Sequence, residues 1–134
     1  MGERQRLVPF LTFHGDAEEA MDFYSVVLPD AKVTSIVRVE KGMPGDEGKV
    51  LHGELSFAGE RIMFMDMAKE NELPPFAWSM SLYLDCKDEA EFDAVFEGLR
   101  RGGTVMMGPE PVMQFRKVAW VVDKFGVTWQ PVWG

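Results

Sequence analysis

Leu7-Val8-Pro9-Phe10-Leu11-Thr12-Phe13 is an apolar, strand-like run, and its counterpart returns later as Met80-Ser81-Leu82-Tyr83-Leu84. The segment after each run is duplicated too. A helix opens at Asp16 after the first and near Asp88 after the second. Asp16 with Glu19, and Asp88 with Glu91, both read as an N-cap with a glutamate three residues on. Three strand-like stretches then come after each helix. The last of these are Ile62-Met63-Phe64-Met65 after Gly59, and Val127-Thr128-Trp129-Gln130-Pro131-Val132-Trp133 after Gly126. The repeat predicts an α+β fold of two βαβββ units, whose curved mixed sheets surround one shared cavity. The expected organisation is a single domain over 1–134, with unit one at about 7–66 and unit two at about 78–134. Function is expected in the cavity.

Working outward, Pro9 places the first strand at an edge, or at a point where its missing donor is harmless. The first helix is expected from about Ala17 to Leu28, with Ala20, Phe23, Tyr24 and Val27 as its core stripe and Pro29 as its stop. Strands are expected at Lys32–Val39, Lys49–Phe57 and Glu60–Asp66, the first two joined by a glycine-rich loop from Glu40 to Gly48. Met67 to Phe76, ending Leu73-Pro74-Pro75, reads as an extended linker. In the second unit, strands are expected at Trp78–Leu84, Thr104–Met107, Arg116–Val122 and from Val127 onward. The helix is expected from Glu89 to Arg101, closed by Gly102-Gly103. Gly108-Pro109-Glu110-Pro111 is expected to break the strand before it.

Bulk properties exclude several classes of function. The chain has 134 residues, 46% hydrophobic and 27% charged, ordinary values for a globular domain. A formal net charge of -8 without a basic run repels phosphate backbones and anionic membranes, so neither nucleic acid nor membrane is an expected partner. One cysteine, Cys86, cannot form an internal disulfide, which fits a reducing cytoplasm. It has no obvious activating neighbour apart from Lys87 and reads as a bystander thiol. The N-terminal apolar stretch is too short for a signal peptide, and no run is long enough to span a bilayer.

Pro9-Phe10-Leu11-Thr12-Phe13-His14-Gly15, Ala17-Glu18-Glu19-Ala20-Met21-Asp22-Phe23-Tyr24, Gly48-Lys49-Val50-Leu51-His52-Gly53-Glu54-Leu55-Ser56-Phe57 and Asp123-Lys124-Phe125-Gly126-Val127-Thr128-Trp129-Gln130 stand in a specific order and spacing. In these the chain resembles the vicinal oxygen chelate superfamily of glyoxalase I, extradiol dioxygenases and bleomycin-resistance proteins. Within it, the chain is similar to the PhnB-like, 3-demethylubiquinone methyltransferase-like branch. Methyl transfer of the usual doubly wound kind needs a glycine-rich strand-to-helix turn and a parallel sheet, and the sequence offers neither.

The resemblance implies a divalent ion held by the first and last strands of each unit. Carried through the repeat, those positions fall on Val8, Met63, Ser79 and Gln130. Only Gln130 is a reasonable ligand for a hard or borderline ion, so no metal and no cofactor are expected. Gln130 reads equally as a buried amide satisfied by backbone or water. The resemblance also implies paired units, and the apolar Val132 and Trp133 at the end of the chain suit a homodimer.

The polar chemistry that is left lies on the third strand. Alternation puts Leu51, Gly53, Leu55 and Phe57 on the face beneath the helix, and His52, Glu54 and Ser56 on the other. His52 and Glu54 could serve as general acid and base or bind a polar group; the plainer reading is a solvated sheet face or an ion pair. His14, just before the first helix, reads as a partner for backbone groups. Expected ligand-binding residues are Phe10, Thr12, Met63, Met65, Ser79, Tyr83 and Gln130, with Ser81 and Thr128 also lining the cavity. Abundant Met and Trp side chains, Trp78 and Trp120 among them, suit a flat or aromatic molecule.

Three functions fit. The first is a metal-free protein binding a partly apolar small molecule, in the manner of bleomycin-resistance relatives that sequester drugs. The second is a lyase or isomerase using His52 and Glu54 or an atypical metal site. The third is an assembly module of ferredoxin-like kind, against which the three strands after each helix argue.

Overall fold

The structure, a computed structural model, describes residues 4–134. The chain divides into a first compact unit ending at Leu73 and a second spanning Pro74–Gly134. The first holds β1 (Phe10–Phe13), α1 (Ala17–Val27), β2 (Lys32–Arg38), β3 (Val50–Phe57) and β4 (Glu60–Asp66). The second holds β5 (Leu82–Asp85), α2 (Glu89–Arg100), β6 (Thr104–Val112), β7 (Phe115–Val122) and β8 (Thr128–Trp133). Each unit forms a four-stranded mixed sheet, ordered β1-β4-β3-β2 in one and β5-β8-β7-β6 in the other. In each, the strand before the helix runs parallel to the last strand, and the remaining pairs are antiparallel. The repeat read from the sequence is therefore a repeat of topology. Among the described residues no helix is long and apolar enough to cross a membrane.

In the first unit the β3–β4 hairpin turns on Ala58 and Gly59, both at positive φ (51° and 80°), the conformation that matches the twist of a two-residue hairpin. α1 packs one face onto the sheet through Ala17, Ala20, Met21, Tyr24 and Val27, all buried. Phe23, expected in that stripe, is only half-buried, and Met21 takes its place. Tyr24 meets Phe64 at 6.0 Å between ring centroids, and Phe13 stacks on Phe64 at the same distance. A large side chain fully buried in this way contributes about 1.5–3 kcal/mol. Gly53 lies directly beneath α1, where an added Cβ would stand 2.6 Å from Met21 Sδ.

β3 corrects one expectation. Arg38 pairs with Val50 and Val37 with His52, so Leu51 is an extra residue in the ladder. The bulge puts fully buried Val50, with Gly53 and Leu55, in the core and leaves Leu51 only half-buried. Glu54 and Ser56 keep the alternation read from the sequence, as does His52.

The start of α1 corrects another. Asp16 makes no capping hydrogen bond through its side chain. The carboxylate of Asp66, 5% exposed at the end of β4, does that work. Its Oδ1 accepts from the backbone N–H of Gly15 (2.8 Å) and Ala17 (2.9 Å), and its Oδ2 from Val50 N–H (3.0 Å). α2 agrees with the expectation: Asp88 Oδ1 accepts from Glu91 N–H at 2.8 Å, and Glu91 reaches back to Lys87 N–H at 3.0 Å.

The second unit departs from the sequence reading at two strands. Strand β5 begins at Leu82 rather than Trp78, because Met80 N–H bonds back to Ala77 carbonyl and closes a turn over Trp78 and Ser79. Strand β6 runs through Gly108-Pro109-Glu110-Pro111 to Val112 instead of stopping at Met107. It is an edge strand with register shifts on both sides of Glu110, so the prolines fit where a central strand would reject them. Gly108, at φ 78°, is required there, since a Cβ would collide with Val118 carbonyl.

His14 donates from Nε2 to Asn71 carbonyl at 2.7 Å, a backbone partner as expected. Cys86 is buried, and desolvation, reinforced by Glu91 and Asp85, pushes its thiol up to about 12.

These contacts have two measurable outcomes. Asp66→Ala strands three backbone donors and should cost about 3–5 kcal/mol in urea unfolding. Asp66→Asn, which keeps an oxygen for Gly15 and Ala17 but not a second for Val50, should cost less; equal losses would mean that the Val50 bond carries the whole effect and the bonds to Gly15 and Ala17 add nothing. For Cys86, the folded state favours the neutral thiol. Its contribution to stability is complete below the free thiol's range, about pH 8.5, and is lost as pH rises toward 12. Native protein at pH 8 should resist iodoacetamide, and alkylation should track unfolding; rapid native alkylation would contradict the burial.

Candidate functional site

Each sheet has one face toward its helix and one away from it. In the first unit, Gly53 under Met21 and Phe64 against Tyr24 identify the helix side. Residues of the opposite parity form the other face. Across it, Phe10 pairs with Met63 and Met63 with Glu54, a row spanning β1, β4 and β3. Thr12 pairs with Met65 in the next row, and His52 on β3 pairs with Val37 on the edge strand β2. The expected residues Phe10, Thr12, Met63, Met65, His52 and Glu54 thus share one surface. Phe10 is 47% exposed on it and Val37 48%; Met63, Met65, His52 and Glu54 are half-buried.

The polar groups of this face are partnered. The ring of His52 stands edge-on to Phe10, with centroids 5.9 Å apart. Glu54 lies 3.5 Å from Arg61 and accepts from Thr34 Oγ1 at 3.4 Å. Arg61 was missed in the sequence, although the two-residue turn implies it. With Phe57 opposite Glu60, Arg61 falls opposite Ser56 and diagonal to Glu54. The surface presents a flexible apolar floor of thioethers and one phenyl ring, edged by a hydroxyl, an imidazole and a carboxylate–guanidinium pair. Such a floor can hold a flat apolar body and orient one or two polar substituents.

In the second unit, Lys117 bonds Asp93 and Glu89 on α2 and so marks the helix side of β7. Tyr83 and Gln130 are register partners on the other face, Tyr83 57% exposed and Gln130 half-buried. Ser79 is placed differently from the expectation. It sits exposed in the turn before β5, with Ser81 also ahead of that strand.

The parallel strand pairs revise the repeat alignment. Leu11 pairs with Phe64 and Leu82 with Trp129, so the counterpart of Gln130 is Met65 rather than Met63. Val8 and Ser79 both precede their strands. The positions where the resemblance implies an ion therefore offer, in the two units taken separately, thioether, aliphatic and hydroxyl side chains and one amide. These residues do not fit a divalent ion. Among the described residues, no three His, Cys, Asp or Glu side chains gather as a metal site.

A separate cleft of about 520 Å³ opens at the start of α1, lined by Glu18, Glu19, Asp22, Glu47, Lys49 and the Asp66 cap. Arg38 holds Glu18 in a two-pronged bond at 2.7 and 2.8 Å, which keeps that carboxyl below its ordinary range. Lys49 Nζ donates to Gly15 carbonyl at 3.0 Å. None of the residues expected from the sequence lines this cleft.

Comparison with known proteins agrees with the topology. The family described as 3-demethylubiquinone-9 3-methyltransferase matches residues 5–132. The solved PhnB protein of Bacillus cereus is 37% identical, with a TM-score of 0.85 over 97% of this chain and 100% of that one. A Pseudomonas aeruginosa protein is 24% identical, with a TM-score of 0.87 over 97% of this chain and 98% of that one. A glyoxalase/bleomycin resistance protein/dioxygenase domain from a Frankia species shares the fold at 15% identity, with a TM-score of 0.67 over 99% of this chain and 93% of that one. No curated protein matches the chain. With a family match along nearly its whole length and this degree of identity to a PhnB protein, the chain belongs to the PhnB-like, 3-demethylubiquinone-9 3-methyltransferase family, and its fold is that of the glyoxalase/bleomycin-resistance proteins.

Proposed function

We propose that this chain is a metal-free small-molecule binding protein, a single domain over 1–134 that holds a partly apolar organic ligand on its helix-free sheet faces. The observation that supports it best is the composition of the first-unit face. Phe10, Met63 and Met65 supply deformable apolar surface, and Thr12, His52 and Glu54 stand at its margin. A mostly apolar surface with a few fixed polar groups is the usual make-up of a ligand site. The poor donor set at Val8, Met63, Ser79 and Gln130 supports the metal-free part. The family's name denotes methyl transfer, yet each sheet has only one parallel pair. That is not the doubly wound frame in which a methyl donor is usually held.

A second reading is a lyase or isomerase with His52 and Glu54 as base and acid. The same-face placement of the two supports it. The Glu54–Arg61 pair argues for binding instead, because a carboxylate engaged by a guanidinium has fewer lone pairs free for a substrate proton. We further propose a homodimer in the cytoplasm.

A thermal-shift screen of small aromatic compounds tests the binding reading. A hit should weaken by about 1–3 kcal/mol in Glu54→Gln, the range for losing a charge-assisted hydrogen bond, with the fold intact. His52→Asn should weaken it too. Hits unaffected by either change, or by Phe10→Ala, would place the ligand elsewhere. Turnover of a hit that disappears in both variants would favour the enzyme. Light scattering should give twice the mass of the chain at micromolar concentration; a monomer would refute the dimer.

A further inference from the structure

Two buried side-chain atoms among the described residues have no hydrogen-bond partner, Trp120 Nε1 and Thr128 Oγ1. Buried polar groups are almost always partnered, so a pair of orphans on neighbouring strands needs a reason. Val121 pairs with Trp129 and Val122 with Thr128. Trp120 is therefore opposite Gln130 and diagonal to Thr128. Diagonal neighbours in such a ladder lie about 7–8 Å apart, within reach of a common small group. Lys117 marks the helix side of β7, and Trp120, of opposite parity, belongs to the other face with Thr128 and Gln130. Tyr83 joins the row through Gln130 and Met107 through Trp120. Trp78 stands edge-on to Trp120 at 5.5 Å.

We propose that Trp120, Thr128 and Gln130 form an acceptor subsite for the carbonyl oxygen of a neutral, flat organic ligand. The proposal rests on the small-molecule reading above and names the ligand's chemical class. An indole N–H can only donate, and a threonine hydroxyl and a glutamine amide can each donate beside it. Three such groups on one face call for an acceptor atom. Trp78, Trp120, Tyr83 and Met107 offer planar and polarizable surface for the body that carries it. The net charge of -8 disfavours a carboxylate and selects the neutral carbonyl.

The test monitors the indole N–H resonances of ¹⁵N-labelled protein, with Trp120 assigned by its loss in Trp120→Phe. The probes are acetophenone and its carbonyl-free analogue ethylbenzene. Acetophenone should move the Trp120 proton along a saturable curve, and ethylbenzene should not. Thr128→Val should weaken acetophenone by about tenfold and leave ethylbenzene unchanged. Its melting temperature should not fall, because the change replaces an orphaned hydroxyl by a methyl group of the same shape. Equal binding of both probes, or a stationary Trp120 proton while the Met63 and Met65 methyls titrate, overturns the subsite alone; a fixed water bridging the two orphans would give this result. If no resonance responds to either probe, the broader binding reading falls with it.

Discussion

The carboxylate of Asp66 gathers three backbone donors from two segments distant in sequence, and the first unit is arranged around it. Burying a charge is expensive unless its oxygens are satisfied, and here both are, by Gly15 and Ala17 on one side and Val50 on the other. The N-terminal end of α1 adds a favourable dipole. The start of the helix is thereby fixed to the end of a central strand and to the start of its neighbour. Once that corner is set, Met21 lands over Gly53 and Tyr24 over Phe64, contacts that admit little sliding. The second unit divides the same labour. Asp88 caps α2 locally, and buried Asp123 ties its own turn through Phe125 and Val127 N–H and then reaches Trp129 Nε1 at 2.9 Å. The topology is repeated while the polar anchors differ.

That difference explains which parts of the fold were legible in the sequence. Helix and strand periodicities report which side chains are buried, and they located all ten elements of the described residues. An anchor such as Asp66 is long-range: nothing near residue 66 signals that its carboxylate serves the N–H of residue 17. Asp16 and Glu19 offered a local pattern that the tertiary contact overrode. Leu51 was misplaced because a bulge inserts one residue without changing composition. The prolines at 109 and 111 suggested a break where an irregular edge strand accommodates them. Phe10, Thr12, Met63, Met65, His52 and Glu54 were found to share a face because a parity rule suffices once strand and register are right. Ser79 was misassigned because the turn over Trp78 delays the start of its strand. The orphaned Trp120 and Thr128 atoms could not have been read in advance, since a missing partner is a property of three-dimensional surroundings.

Membership of the family and the chemistry of the chain are separate matters. The fold is a scaffold on which a metal site, a catalytic pair or a passive groove can be built from the same strand positions. In this chain those positions carry thioethers, aromatics and an amide, a set suited to contact area rather than to Lewis acidity. Glu54 has a guanidinium for company and His52 a phenyl edge. Both arrangements hold a side chain in place, which serves recognition at least as well as proton transfer. The acidic cleft beside α1 belongs to the structural side of this division, because the Asp66 cap sits in its wall and Arg38 and Lys49 brace its rim.

The irregular β6 carries a consequence for solubility. An open sheet edge is a template on which another chain can add a strand and begin to aggregate. At the outer edge of the second sheet, Pro109 and Pro111 withhold two amide donors within three residues, and the register shifts around Glu110 bend the rest out of line. An incoming strand would find no continuous ladder to extend. Straightening this segment, by replacing both prolines with residues that pair freely, would turn a blunt boundary into a sticky one and alter the protein's behaviour at high concentration.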